Sequence, residues 1–140
     1  MKVKNPFRKS KKELPAIAVM AVGDDTEVLA SLTSTLQAGG YIVYSVASVP
    51  AAVALLDEIE MPSVFIGDFR DPQAEGTEFM AKIGIRFGKS ALPPVLFLMD
   101  SPEDEAAAKT LGVYDVLPKP LETEALLRSI RTISERKLIQ

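Results

Sequence analysis

The chain of 140 residues contains no cysteine and no histidine. Without cysteine there is no disulfide framework and no thiolate metal site. Without histidine, imidazole acid–base chemistry and most transition-metal sites are excluded. Any metal held by this chain alone would therefore be a hard cation with oxygen ligands.

No apolar run approaches the length of a transmembrane helix. A basic stretch followed by LPAIAVMAV (14–22) has the order of charge and hydrophobicity of a secretory signal. We reject that interpretation, because cleavage there would delete the first strand of the pattern described below. We expect a soluble cytoplasmic protein that does not contact a membrane.

Charge is unevenly distributed along the chain. Residues 1–13 hold six basic residues against one acid, a net charge of +5. Because the whole chain carries −3, the remaining residues carry −8. Such an acidic body argues against nucleic-acid binding. We expect residues 1–13 to form a disordered basic extension and residues 14–140 to form one domain.

Apolar runs alternate with amphipathic stretches, which predicts an α/β domain with a parallel sheet and helices on both faces. Ser48 and the SPED segment starting at Ser101 are typical of helix starts, and Gly39-Gly40 of a helix end. Residues 69–76 predict a charged turn. The predicted strands are 16–22, 41–46, 63–67, 94–99 and 114–118, and helices include 77–87, 102–111 and 122–137.

Charged side chains follow four of the five predicted strands. The carboxyl ends of parallel strands share one edge, where ligands bind. Carboxylates there suit Mg²⁺, an aspartate can accept a phosphoryl group, and a lysine can offset its charge. Helix capping explains any single acid, but the set at matching strand ends favours a functional site. Its members are Asp24, Asp25, Asp68, Asp100 and Lys119.

Three short motifs occur in order on this alternation. In DFRDPQAEG, Pro72 and Gly76 follow Asp68 by four and eight residues; GDD (23–25) precedes it, and LPKP (117–120) comes after. Together they resemble the receiver domain of response regulators, over residues 16 to about 135. The resemblance implies a flavodoxin-like, doubly wound, five-stranded parallel sheet of order 2-1-3-4-5, often with a cis peptide at this Lys-Pro.

The resemblance also implies a phosphorylation site. Asp68 would be the phosphoacceptor, receiving its phosphoryl group from a histidine kinase or a histidine phosphotransfer protein. Lys119 would contact the phosphate. Mg²⁺ would be held by Asp24, Asp68 and the backbone carbonyl of Arg70, with Asp25 as a further candidate.

Three positions depart from the family pattern. Gly23 stands where the family has the first of two acids, whereas Asp24, 44 residues before Asp68, keeps the second. Met99 replaces a hydroxyl residue at the end of strand four, and a thioether donates no hydrogen bond. Val116 replaces the switch aromatic on strand five. We therefore expect weaker metal binding and an altered conformational switch.

Two functions follow from the sequence. The first is a single-domain response regulator that accepts a phosphoryl group on Asp68 and acts on a downstream protein target, as a monomer or weak dimer. The alternative is a degenerate receiver, a protein-interaction module with weak or no phosphorylation. An aspartate-dependent phosphohydrolase is disfavoured, because it needs an acid where this chain has Arg70, and we expect no enzyme activity.

Overall fold

Five strands alternate with five helices in the computed structural model, which describes residues 17–88 and 92–139. The predicted basic extension, residues 1–13, and its boundary with the domain lie outside the described residues. The strands are β1 (Ala18–Gly23), β2 (Ile42–Val46), β3 (Val64–Asp68), β4 (Val95–Met99) and β5 (Asp115–Pro118). The helices are α1 (Thr26–Ala38), α2 (Val49–Leu56), α3 (Pro72–Phe87), α4 (Glu103–Thr110) and α5 (Thr123–Ile139).

All strand pairs are parallel, and the sheet order is β2-β1-β3-β4-β5. The predicted fold class and strand order are both confirmed. No helix in the part of the chain that the structure describes has the length and apolarity to cross a bilayer. The Lys119–Pro120 peptide is cis, as the resemblance implies.

Side chains alternate between two apolar clusters, one on each face of the sheet. Successive residues of a strand point to opposite faces, so β1 sends Val19 and Ala21 to one cluster and Met20 and Val22 to the other. The first cluster is covered by α1 and α5, and the second by α2, α3 and α4. Helices therefore cover both faces, which explains why β1, β3 and β4 are almost continuously apolar.

The start of α3 differs from the prediction. This helix begins at Pro72, so the residues predicted as a turn form its first turns. Asp71 caps it by accepting a hydrogen bond from the Ala74 backbone N–H (3.2 Å), and Glu75 accepts one from the Asp71 N–H (3.0 Å). Pro72 is suited to the first helical position, where an N–H has no partner in the helix. Gly76 then lies against β4, where a Cβ would come within 2.6 Å of the Phe97 ring.

Helix α4 is short and weakly anchored. Among its eight residues, all of which the structure describes, Ala108 is the one that is buried. It starts one residue later than predicted, at Glu103, so Pro102 is its N-cap rather than its first helical residue. The Ser101 hydroxyl accepts a hydrogen bond from the Glu103 N–H at 3.2 Å. By contrast, the thirteen residues of α1 bury Leu29, Leu32 and Leu36. Few buried apolar contacts imply a low free energy of local opening.

We therefore expect amide hydrogen exchange in residues 102–111 to be faster than in α1. Short helices depend on tertiary packing for their stability, and α4 has less of it. Native-state exchange followed by NMR or mass spectrometry measures both helices in one experiment. Equal or stronger protection of α4 would contradict the expectation.

Candidate functional site

The sheet brings the predicted site residues to one edge. Asp68 is the last residue of β3, and its Cα pairs with that of Gly23 at the end of β1. Asp24 follows directly, and Lys119 follows directly after β5. Each position is set by the end of a strand, so the site depends on sheet register rather than on loop conformation.

The Asp68 carboxylate is buried and paired with a lysine. The residue is 4% exposed, and the Lys119 Nζ lies 2.5 Å from its Oδ1 atom. The same ammonium lies 3.6 Å from Oδ1 of Asp100, a mostly exposed residue. Burial by itself lowers the pKa of Lys119, but the hydrogen bond and negative charge of Asp68, with a smaller effect of Asp100, raise it overall. Lys119 therefore remains a cation at neutral pH and compensates the buried carboxylate.

Asp24 is paired with a different cation. The Arg70 guanidinium donates a hydrogen bond of 2.9 Å from its Nη2 atom to Oδ2 of Asp24. Both side chains are largely in solvent, at 80% exposed for Arg70 and 50% for Asp24. The resemblance implies a ligand role for the backbone carbonyl of Arg70, but nothing in the sequence predicts this ion pair of its side chain. The one hint in the sequence is that Arg70, a basic residue, stands two positions after Asp68, next to Asp71.

Asp25 is used by the backbone of α1. Its Oδ1 accepts hydrogen bonds from the backbone N–H groups of Glu27 (3.0 Å) and Val28 (3.2 Å), so it caps the helix. The sequence left two roles open for Asp25, helix capping and metal binding. In the structure it caps the helix.

A cleft of about 200 Å³ opens beside Asp68. Four of its lining residues are acids, and the aromatic ring of Phe69 and the hydroxyl residue Ser48 also contribute. Glu75 enters the site from the early start of α3, which the sequence does not predict, whereas Glu78 lies in the predicted part of that helix. The lining includes Gly23, Asp24, Ser48, Asp68, Phe69, Glu75 and Glu78.

The donors available to a metal are few. Across residues 17–88 and 92–139, no group of three or more Asp, Glu, His or Cys side chains is placed to hold an ion. Mg²⁺ in phosphoryl-transfer sites is commonly bound through one or two carboxylates plus substrate oxygens and waters. The carboxylates of Asp24 and Asp68 with the Arg70 carbonyl are a donor set of that kind, so the residues fit Mg²⁺ in chemistry.

Gly23 is constrained by the neighbouring strand. A Cβ placed on it would lie 2.7 Å from the backbone oxygen of Asp68 and 3.0 Å from its Cβ. The departure from the family pattern is thus more than a missing carboxylate, because the backbone of β3 occupies the space that a side chain at this position would need.

Aromatic packing fixes the backbone that follows Asp68. The buried Phe69 ring covers Gly67, where a Cβ would come within 2.5 Å of it. Phe69 also packs edge-on against Phe97, with 5.3 Å between ring centroids, and contacts Phe79 at 5.7 Å. These contacts join the segment after Asp68 to α3 and β4.

Met99 and Val116 belong to the apolar interior. Met99 is buried in the cluster covered by α2, α3 and α4, and the half-buried Val116 packs against the same cluster. The backbone oxygen of Met99 accepts a hydrogen bond from the Lys119 N–H at 2.9 Å, which extends the β4–β5 pairing to the lysine. At these positions the chain has core residues rather than polar or aromatic switch residues.

A family model described as the response regulator receiver domain matches residues 19–131. The chain is 32% identical over 124 residues to response regulator MprA of Mycobacterium bovis, covering 86% of this chain and 52% of the relative. It is 27% identical over 120 residues to response regulator protein GraR of Staphylococcus haemolyticus, covering 84% of this chain and 51% of that relative. The chain thus spans about half the length of these curated relatives.

Solved structures agree with these relatives. The chain matches chemotaxis response regulator CheY4 of Vibrio cholerae with a TM-score of 0.72 and 28% identity, covering 85% of this chain and 99% of that one. The similarity therefore extends over nearly the whole of a receiver fold.

Replacing Gly23 by alanine should lower the free energy of unfolding by about 1–3 kcal/mol, because the strand must move to admit the methyl group. Gly39→Ala is the matched control, since the nearest atoms to its added Cβ lie at 3.4 Å. We expect that control to change stability by less than about 0.5 kcal/mol. Urea denaturation followed by far-UV circular dichroism measures both, and equal stability of the two variants would contradict the close approach at Gly23.

Proposed function

The chain belongs to the response regulator receiver domain family of two-component signalling, and from this premise we propose that it accepts a phosphoryl group on Asp68. The observation that carries the proposal is the buried Asp68 carboxylate with the Lys119 ammonium 2.5 Å away. Asp68 lines an open cleft together with Asp24, so an incoming phosphoryl group can reach its carboxylate.

The proposed donor is the phosphohistidine of a histidine kinase or a histidine phosphotransfer protein. An oxygen of the Asp68 carboxylate attacks phosphorus, and the bond between phosphorus and the imidazole nitrogen breaks. The electron pair of that bond stays on the imidazole, and the product is an aspartyl phosphate. Because this chain contains no histidine, the phosphohistidine belongs to the partner.

Lys119 supplies positive charge to the transferred group. Its ammonium is already hydrogen-bonded beside Asp68, and a compact cation there stabilises the oxygens of the phosphoryl group. Asp24, Asp68 and the Arg70 carbonyl would hold Mg²⁺, which would supply positive charge to the phosphoryl group and offset the repulsion of the carboxylates. Asp25 is left out of this ligand set, because its oxygen holds the cap of α1.

The proposed partners are proteins on both sides of the transfer. The kinase or phosphotransfer protein acts upstream, and a protein target recognises the domain downstream. Nucleic acid is not a proposed ligand of the domain, since the chain beyond residue 13 is strongly acidic. The domain acts in this proposal as a signalling module and not as an enzyme.

A degenerate receiver is the second candidate, and particular residues favour it. Gly23 leaves one acid fewer in the site, and its space is closed by β3. Met99 offers a thioether where a hydroxyl would contact the phosphate, and it is buried in the apolar cluster. In that case the domain binds its partner without needing phosphorylation.

Incubation with Mg²⁺ and acetyl phosphate should add one phosphoryl group to the wild-type chain. Intact-mass spectrometry detects the addition, and Asp68→Asn should abolish it because an amide is not the required nucleophile. Asp57→Asn is the control, since Asp57 pairs with Arg86 away from the cleft. Addition that survives in the Asp68→Asn variant would contradict the assignment.

Occupation of Asp68 should change the structure only locally. A conformational change needs contacts that differ between the two states, and neither Met99 nor Val116 supplies a polar or aromatic contact that could change. Amide chemical shifts with and without beryllofluoride should move near Asp68 and little across residues 100–130. Large shifts through that region would instead indicate an ordinary receiver switch, and no shifts at all would favour the degenerate module.

A further inference from the structure

We infer that the Arg70 guanidinium is a tethered cation that competes with Mg²⁺ for the Asp24 carboxylate. The Asp24 and Asp68 carboxylates are then each paired with a cation in the absence of metal, and Asp24 is available to Mg²⁺ only when Arg70 leaves it. This inference rests on the proposed function, because it concerns the cation requirement of the same cleft.

Of the four acids that line the cleft, the two that would hold a metal, Asp24 and Asp68, each already have a cationic partner. Lys119 lies 2.5 Å from Asp68, and Arg70 lies 2.9 Å from Asp24. A metal would need Asp24 as a ligand in addition to Asp68. The guanidinium and the metal would therefore bind the same carboxylate. Two like charges cannot both lie against that carboxylate without repelling each other.

The missing first acid makes this competition matter. With carboxylates at positions 23 and 24, a single arginine would leave one negative charge for a metal. Gly23 removes that second charge, and the close approach of β3 prevents a side chain at position 23 from restoring it without backbone movement. Arg70 therefore neutralises the one acid that follows β1 in the cleft.

The placement of Arg70 allows it to move without disturbing the core. The preceding residue, Phe69, is buried and held by Phe79 and Phe97, so the backbone that carries Arg70 is anchored. The Arg70 side chain itself is 80% exposed. Exposed ion pairs contribute little free energy, so this pair can be displaced by a divalent cation and weakens metal binding rather than blocking it.

The test is a Mg²⁺ titration of the wild-type chain and the variants Arg70→Ala, Arg70→Lys and Arg86→Ala. Amide chemical shifts of residues 23–25 and 67–71 report binding in the cleft, and calorimetry gives the dissociation constant independently. Alanine keeps the backbone carbonyl that is the proposed ligand and removes only the competing charge. Arg86→Ala removes one positive charge from the far end of α3, about 20 Å along the helix axis from Pro72.

We expect Arg70→Ala to bind Mg²⁺ about three- to tenfold more tightly than the wild type, from the loss of a competing pair and of a like charge. Arg70→Lys should stay close to the wild type because it keeps the charge, and Arg86→Ala should equal the wild type. An Arg70→Ala affinity equal to or weaker than the wild type would overturn the inference. So would equal affinities of the alanine and lysine variants at position 70.

Phosphorylation measured on the same samples separates this inference from the proposed function. If acetyl phosphate modifies Asp68 while Arg70→Ala leaves the Mg²⁺ affinity unchanged, the competition is wrong and the acceptor role stands. If Arg70→Ala tightens Mg²⁺ binding and Asp68 stays unmodified at saturating metal, the competition stands and the acceptor role is wrong.

Discussion

The buried carboxylate at the end of β3 needs a cation, and the cation comes from the end of β5, two strands away in the sheet. An uncompensated charge at 4% exposure would be costly, so the Asp68–Lys119 pair ties the end of the central strand to the end of the edge strand. The intervening strand takes part as well. The Met99 carbonyl accepts the Lys119 N–H, which carries the β4–β5 pairing up to the residue whose side chain crosses to Asp68.

Other features of the site follow from the close packing around this pair. Gly23 and Gly67 have no side chain because the Asp68 backbone and the Phe69 ring occupy the space. The aromatic contacts of Phe69 hold the segment after Asp68 against α3 and β4, while the exposed side chain of the next residue, Arg70, pairs with Asp24. The site therefore combines a rigid interior, where Asp68 and Lys119 meet, with an adjustable rim, where Arg70 and Asp24 meet.

The sequence predicted the parts of this arrangement that depend on periodicity and order. Alternation of apolar runs and helical spacing predicted the parallel sheet, and charges after strands predicted which residues share its edge. The start of α3 was missed because Asp71, Pro72 and Glu75 were interpreted as turn residues, although together they cap a helix. The closed space at Gly23 and the Arg70–Asp24 pair depend on distances between separate segments, which no local pattern encodes.

The central proposal is that the phosphoryl group is accepted by the carboxylate of Asp68, whose charge is compensated by Lys119. Borohydride reduction of the acyl phosphate after transfer from a phosphorylated histidine protein, followed by tandem mass spectrometry, locates the modified residue directly. The account predicts reduction at residue 68 and at no other aspartate, including Asp24, Asp71 and Asp100. A product at any of those three positions, or transfer with residue 68 unmodified, would contradict it.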